Sequence, residues 1–203
     1  MPAIPFSRRQ WLGVSVLGCS CLASSAGFAE GAAARVPLGY TPPEGVTDLS
    51  KAPALRSKLL EGGEGQTRTY AVTLGKGDEI MSGMTAFARR ERLQAAHFTA
   101  IGAIERGMFG WFYKEVKAYR SLPVNDQAEV ASLVGDIGLV NGVPAVHVHA
   151  VVILADGTAW GGHLLQAIVW PTLEVFLTDY PTPLLKELDT ATDLYLFQPE
   201  ARG

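Results

Sequence analysis

The amino-acid sequence predicts an α+β fold, in which a mainly antiparallel β-sheet packs against one α-helix. Three observations predict it. One stretch has apolar residues at helical spacing, several later stretches alternate apolar and polar residues, and turn dipeptides such as Asn141-Gly142 separate those stretches. The composition, 48% hydrophobic and 18% charged over 203 residues, is typical of one globular domain with its own core.

Residues 1–29 predict an export signal. The stretch "SRRQWLGVSVLGCSCLASSAGFA" has a positive start, an apolar middle and small residues at Gly27-Phe28-Ala29, with Ala32–Ala34 as a second cleavage position. The pair Arg8-Arg9 favours the twin-arginine type, and an ordinary secretory signal is the alternative. We therefore expect a periplasmic or extracellular protein with no membrane span once the signal is removed. The imperfect lipobox Val16–Cys19 makes a lipid anchor the alternative.

Residues 30–66 predict an extended lead-in, and residues 67–203 predict the compact domain. The lead-in is rich in Pro, Gly and Ala, and we expect a short helical turn around Ala54–Leu60. Both cysteines, Cys19 and Cys21, lie in the signal. The domain therefore has no disulfide, and its fold must depend on its hydrophobic core.

The domain is expected to begin with a strand, "RTYAVTLG", followed by the helix. Asp78 is placed to cap this helix, and the residues of its apolar stripe are Ile80, Met84, Phe87 and Ala88. Five stretches after the helix predict strands: "AHFTAIGAI", "MFGWFY", "VKAYRSL", "EVASLVGDIGLV" and "AVHVHAVVIL". Further along, "TLEVFLTDY" and "DLYLF" predict strands, and "PTPLLKELD" between them predicts a helical turn.

Three of the four histidines lie in one stretch, "VHVHAVVILADGTAWGGH". Side chains alternate between the two faces of a strand, so His147 and His149 share a face. The direction in which His163 points depends on how the chain turns between the two strands.

Two turn geometries give opposite results for His163. A regular two-residue turn at Asp156-Gly157 would place this histidine on the wrong face. A three-residue loop, Ala155–Gly157 with its glycine in the left-handed conformation, would instead place His163 opposite His149. A bulge at Gly161-Gly162 is the alternative that makes the same correction.

Three imidazoles on one face predict a metal site, with zinc as the first candidate ion. Three neutral histidines leave a position for water or substrate, which is typical of catalytic zinc. Such chemistry needs an acid or base nearby, and the open candidates are Glu105, Glu129 and Glu174, which lie on or beside predicted strands. The alternative is a half-buried, hydrogen-bonded histidine pair. His97 begins a separate strand, and we expect it to lie outside the site.

The charge balance of the chain argues against nucleic acid as a partner. Without Arg8 and Arg9 of the signal, 15 basic and 20 acidic residues remain, a formal charge of −5. Phosphate binding requires a concentrated basic surface. The only dense basic cluster is Arg89, Arg90 and Arg92, and the exposed end of a helix explains it.

From about Thr69 to Leu185 the chain resembles the plant and prokaryote conserved domain, also called the PPC or DUF296 domain. The matching motifs are "AIGAI", "EVASLVGDI", "VPAVHVHAVVILADGTAWGGHL" and "TLEVFL". The resemblance implies a mainly antiparallel sheet and assembly as a homotrimer. In plants this domain accompanies AT-hook segments of DNA-binding proteins, and this sequence contains no AT-hook.

A more distant similarity concerns the metal site. Alpha-acetolactate decarboxylase and a family of zinc-dependent ester hydrolases resemble the PPC domain in fold. Both bind zinc through a His-x-His pair and a later histidine, and His147, His149 and His163 match that pattern. The similarity implies a metal and does not carry a substrate over to this chain.

These observations predict a metal-dependent hydrolase or lyase that acts on a small carbonyl compound. A nearby glutamate would move the proton. The alternative is a non-catalytic trimeric module that binds a small molecule or a protein. A DNA-binding protein is the third hypothesis.

Overall fold

The computed structural model describes residues 37–43 and 48–200. The predicted export signal and the first residues of the lead-in lie outside these ranges. Within them the chain forms ten strands and one helix: β1 (Tyr40–Thr41), β2 (Arg56–Glu61), β3 (Arg68–Gly75), α1 (Ile80–Arg90), β4 (Ala96–Tyr113), β5 (Ala118–Val124), β6 (Ala128–Val140), β7 (Val143–Ile153), β8 (Ala159–Asp179), β9 (Lys186–Asp189) and β10 (Leu194–Phe197).

Eight strands form one antiparallel sheet, in the order β1-β5-β4-β6-β7-β8-β3-β2. The long strands β4 and β8 also pair with each other, so that β4, β6, β7 and β8 form a closed ring of pairings. Strands β9 and β10 form a separate antiparallel hairpin. The fold is therefore the predicted mainly antiparallel sheet with one helix.

The helix is stabilised in two ways: the backbone N–H groups of its first turn have hydrogen-bond acceptors, and its apolar stripe is buried in the core. Glu79 is the N-cap, and its carboxylate accepts hydrogen bonds from the backbone N–H groups of Met81 and Ser82. The predicted cap, Asp78, is fully buried and instead accepts from the N–H groups of Ala54 and Gly75. The predicted stripe is confirmed, because all four of its residues are buried in the core: Ile80, Met84, Phe87 and Ala88.

Three predicted elements differ from the structure. A helical turn is predicted within residues 54–60, but the segment Arg56–Glu61 is strand β2. It forms a strand because it pairs antiparallel with β3 at the edge of the sheet. The segment "PTPLLKELD" was also expected to form a helical turn, but its last four residues form β9, which pairs with β10. "AHFTAIGAI" and "MFGWFY" are parts of one strand, β4, which bends at bulges and is not interrupted by a turn.

The hairpin between β7 and β8 has the three-residue loop that places the histidines together. The N–H of Leu154 donates to the carbonyl of Thr158 at 2.9 Å, and Gly157 has φ +83°. The pairing then runs without a register shift to His149 opposite His163. The bulge at Gly161-Gly162, which was the alternative, is not needed.

The inner face of β7 anchors this hairpin. Val148, Ala150 and Val152 point into the core and are almost fully buried. Because side chains alternate along a strand, His147 and His149 project from the opposite face.

Within the described ranges, no helix has both the length and the apolar character needed to cross a bilayer.

Replacing Gly157 with Ala tests the loop. We expect the free energy of unfolding to fall by about 1 kcal/mol, because a Cβ disfavours the left-handed conformation. An added Cβ at this position would meet no atom within 4 Å, so the loss would come from the backbone alone. Urea denaturation of the two proteins measures the difference.

Gly63→Ala is the matched control. An added Cβ there would lie 3.8 Å from the flexible side chain of Gln66, and we expect stability to change by less than about 0.5 kcal/mol. Equal losses in the two variants would contradict the role of the left-handed loop.

Candidate metal centre

His147, His149 and His163 converge on the outer face of the sheet. One potential ligand atom from each ring lies within 4.8 Å of those of the other two. The ring centroids are 5.0 Å apart for His147 and His149, 5.1 Å for His147 and His163, and 5.4 Å for His149 and His163. Ligand nitrogens at this separation need only small side-chain rotations to reach one ion at the roughly 2.0–2.1 Å that zinc requires.

Asp136 orients His147. Strand β6 pairs Asp136 with His147, and a carboxylate oxygen lies 3.1 Å from Nδ1 of the histidine. An ionised carboxylate only accepts hydrogen bonds, so Nδ1 carries the proton and Nε2 has the free lone pair. A carboxylate behind a histidine is the arrangement that orients ligands in metal sites.

Lys186 holds this carboxylate from the other side. Its side chain is almost fully buried, its ammonium group donates to the second oxygen of Asp136, and it lies 4.6 Å from the ring centroid of Phe197. Burial of Asp136 opposes its charge, but the hydrogen bonds from His147 and Lys186 outweigh that effect and keep its pKa below the ordinary value. Asp136 is therefore ionised at neutral pH.

His163 is the most buried of the three ligand candidates. Its ring stacks on Tyr119, with the centroids 4.3 Å apart and the planes at 12°. Its Nδ1 is buried and has no hydrogen-bond partner in the described part of the chain. An unpaired buried nitrogen is costly, and a bond to a metal ion is one way to satisfy such an atom.

Two of the imidazoles are held neutral, as metal binding requires. Burial, and then the neighbouring His147 and His149, lower the pKa of His163 to about 3. Burial, and then His147, also lower the pKa of His149. The unpaired nitrogen, the neutral rings and the carboxylate behind His147 together fit a divalent transition metal.

The three candidate glutamates lie on exposed positions of the sheet. Glu105 forms an ion pair with Arg106 at 3.1 Å. Glu129 is opposite Ile153, four residues along β7 from His149, which corresponds to about 13 Å. Glu174 is opposite Thr73 of β3. None of these register pairs contains a histidine of the cluster, and a role for any of the glutamates as general base stays a prediction.

Sequence reasoning missed Asp136, although the sequence contains the signal that identifies it. A two-residue turn at Asn141-Gly142 pairs Val140 with Val143, and counting back from that pair places Asp136 opposite His147. Lys186 lies on β9 and Tyr119 on β5, and neither strand is joined to β7 by a short turn. No turn motif in the sequence therefore indicates that these residues reach the histidines.

His97 lies outside the cluster, as expected. It belongs to β4, and its ring stacks on Tyr180 with the centroids 5.9 Å apart.

Comparison with known proteins identifies the domain. The family model of the Plants and Prokaryotes Conserved (PCC) domain matches residues 61–181. The crystal structure of a plant- and prokaryote-conserved (PPC) protein from Pyrococcus horikoshii is 26% identical, with a TM-score of 0.61, over 70% of this chain and 94% of that one. The resemblance to the PPC domain is confirmed.

Two further solved structures share this fold. One is a metal-containing protein from Archaeoglobus fulgidus, 26% identical with a TM-score of 0.60, over 70% of this chain and 98% of that one. The other, from Bacteroides thetaiotaomicron, is described as a candidate DNA-binding protein. It is 26% identical with a TM-score of 0.65, over 71% of this chain and 99% of that one.

One curated relative matches only in part. The bifunctional protein GlmU of Synechococcus sp. (strain JA-3-3Ab) is 26% identical over 117 residues, which are 57% of this chain but 18% of the relative. The match therefore concerns one segment of a much longer protein.

The expectation that nucleic acid is not a partner is wrong as stated. Structures with this fold, from Bacteroides thetaiotaomicron and from Ralstonia eutropha, are described as candidate DNA-binding proteins. The expectation rested on net charge, which is a sum over the whole chain, whereas DNA binding depends on local charge. Arg89 and Arg90 in the last turn of α1 and Arg92 just beyond it form such a local basic group.

The buried histidine predicts a loss of stability in acid. Because the pKa of His163 is lower in the folded protein (about 3) than in the unfolded chain (about 6.5), the unfolded chain takes up the proton first as the pH falls. We expect the free energy of unfolding of metal-free protein to be about 2 kcal/mol lower at pH 5 than at pH 7 through this group alone. Urea denaturation at the two pH values in the presence of a chelator measures it.

Two variants separate His163 from the other histidines. In His163→Gln the pH dependence should shrink by that amount, whereas in His97→Gln it should remain, because His97 is exposed. A pH dependence unchanged in His163→Gln would contradict the burial argument.

Proposed function

The chain belongs to the Plants and Prokaryotes Conserved (PCC) domain family. Within that family, we propose that it is a metal-dependent hydrolase or lyase acting on a small carbonyl compound. The main observation behind this proposal is that His147, His149 and His163 lie together, with one potential ligand atom of each ring within 4.8 Å of the other two. The metal-containing relative from Archaeoglobus fulgidus supports a metal in this fold. Zinc is our first choice, because three imidazoles are a frequent zinc ligand set.

Zinc held by His147, His149 and His163 would supply Lewis acidity that polarises a carbonyl or makes a water more acidic. The chain's own residues determine how that chemistry is presented. Asp136 fixes the tautomer of His147, Lys186 fixes Asp136, and Tyr119 holds the ring of His163. The proton would be moved by Glu105, Glu129 or Glu174 if one of them approaches a bound substrate.

We also propose that the metal site resembles that of alpha-acetolactate decarboxylase. The spacing of the His-x-His pair and the later histidine supports this resemblance. For this reason acetolactate-like keto acids belong beside simple esters among the substrates to be tested.

We also propose that the protein is exported and works as a homotrimer. The signal-like residues 1–29 support export. Exposed apolar side chains on the outer face of the sheet support assembly, because they favour burial against another chain: they are Ile101, Val134, Val151 and Phe176. Light scattering on protein recovered from the periplasm checks both points, and a monomer or a cytoplasmic product would contradict them.

DNA binding is a second candidate function. The descriptions of two structural relatives and the basic group Arg89, Arg90 and Arg92 favour it. A non-catalytic module that binds a small molecule or a protein is the remaining alternative. Duplex DNA affinity that falls steeply with salt, and falls further when the three arginines become glutamine, would support the DNA function.

The hydrolase or lyase proposal predicts chelator-sensitive turnover. A panel of simple esters and acetolactate-like keto acids should include at least one substrate whose turnover is lost in chelator and restored by zinc. The reason is that the polarising ion is removed and returned. Product formation is measured for the wild type and for the double variant His147→Ala, His149→Ala, which should be inactive. Turnover indifferent to chelator, or none across the panel, would favour the binding module.

The carboxylate behind His147 predicts a graded effect on metal affinity. Asp136→Asn should weaken zinc binding about 10- to 100-fold, because the amide neither fixes the tautomer nor offers a charge. Competition with a chromophoric chelator measures the affinity. Glu105→Gln is the matched control: it also removes one carboxylate, but from an exposed pair with Arg106, and it should leave zinc affinity unchanged. Equal affinity in both variants would remove Asp136 from the site.

A further inference from the structure

A cleft of about 610 Å³ lies beside the histidine cluster. His147 and His163 line it, so the candidate metal centre forms part of its wall. The other walls come from α1, the start of β7 and the hairpin of β9 and β10. Its volume lies within the roughly 300–1,000 Å³ typical of small-molecule sites.

Most of the cleft wall is apolar. Val143 and Val146 come from β7, and Leu194, Leu196 and Phe197 come from β10. A wall of this kind binds hydrocarbon by removing it from water. The cleft therefore favours a ligand with an apolar part.

The charged residues of the cleft leave one cation without a partner. Asp136 and Lys186 are paired with each other. Arg89 is exposed at the last turn of α1, and it makes no ion pair or side-chain hydrogen bond within the part of the chain that the structure describes. Its neighbour Arg90 differs, because it bonds to Glu91 and Ser57 and does not line the cleft. The lining thus has an excess of one positive charge.

We propose that the cleft binds a small apolar carboxylate, with its carboxylate at Arg89 and its hydrocarbon part against the wall of β7 and β10. Arginine suits this role, because its planar guanidinium matches a carboxylate. His147 and His163 line the same cleft, so such a ligand would lie beside the candidate metal centre. As a statement about substrate this rests on the proposed function, and it narrows the substrates to carbonyl compounds that carry a carboxylate.

Two probes of matched shape test the inference: hexanoate and its neutral counterpart hexanamide. The full chain is used free of metal, because an ion would itself attract the carboxylate. Calorimetry should show that hexanoate binds about ten-fold more tightly than hexanamide. This ratio corresponds to the contribution of about one charge-assisted hydrogen bond. Arg89→Gln should remove this difference and leave hexanamide binding unchanged. Val143→Thr should weaken both probes, because it adds a hydroxyl to the apolar wall.

Arg90→Gln is the matched control, since it removes the same charge from the next residue, and it should preserve the preference for hexanoate. The inference is overturned by equal affinity for the two probes, by no binding of either probe, or by an equal effect of the two arginine variants. Zinc content is measured separately on protein purified without chelator, before the metal is removed for calorimetry. A protein that holds no zinc but prefers hexanoate would refute the proposed function and keep the cleft, and the reverse result would refute the cleft alone.

Discussion

The pairing of His149 with His163 depends on the left-handed conformation of one residue, Gly157. That conformation gives the hairpin a three-residue loop, and every later pair of β7 and β8 follows from it. A slip of one residue would turn His163 to the opposite face of the sheet. The inward side chains of β7 resist such a slip, because it would expose Val148 and Val152, which are fully buried. Core packing thus fixes the geometry of the outer face.

The site also depends on how buried charge is distributed around it. Lys186 and Asp136 form a largely buried pair, and a buried pair is stable only when its remaining hydrogen bonds are satisfied. His147 supplies one of these bonds, so the ion pair and the histidine orientation support each other. Burial keeps His163 neutral, and with it the lone pair that a metal needs. Electrostatics and packing therefore favour the same arrangement.

The sequence alone predicted the fold class, the buried stripe of α1 and both possible registers of the histidine hairpin. The pairing of Asp136 with His147 was also predictable, because a two-residue turn at Asn141-Gly142 fixes the register of the two strands. The contribution of Lys186 could not be predicted, because β9 is held beside β6 by long-range contacts, such as those of Leu184 and Leu185 with Leu139. The ring of Tyr119 lies over His163 because Gly110, paired with that histidine, has no side chain. Such long-range contacts leave no periodic signal in the sequence.

One protein with this fold, from Archaeoglobus fulgidus, is described as metal-containing. The most direct test of the metal site is a crystal structure of the zinc-loaded protein with anomalous data at the zinc edge. We predict one peak between the three rings, bonded to a nitrogen of each of His147, His149 and His163 at roughly 2.0–2.1 Å. A zinc-soaked crystal with no peak there, or with the ion held by other side chains, would contradict the account.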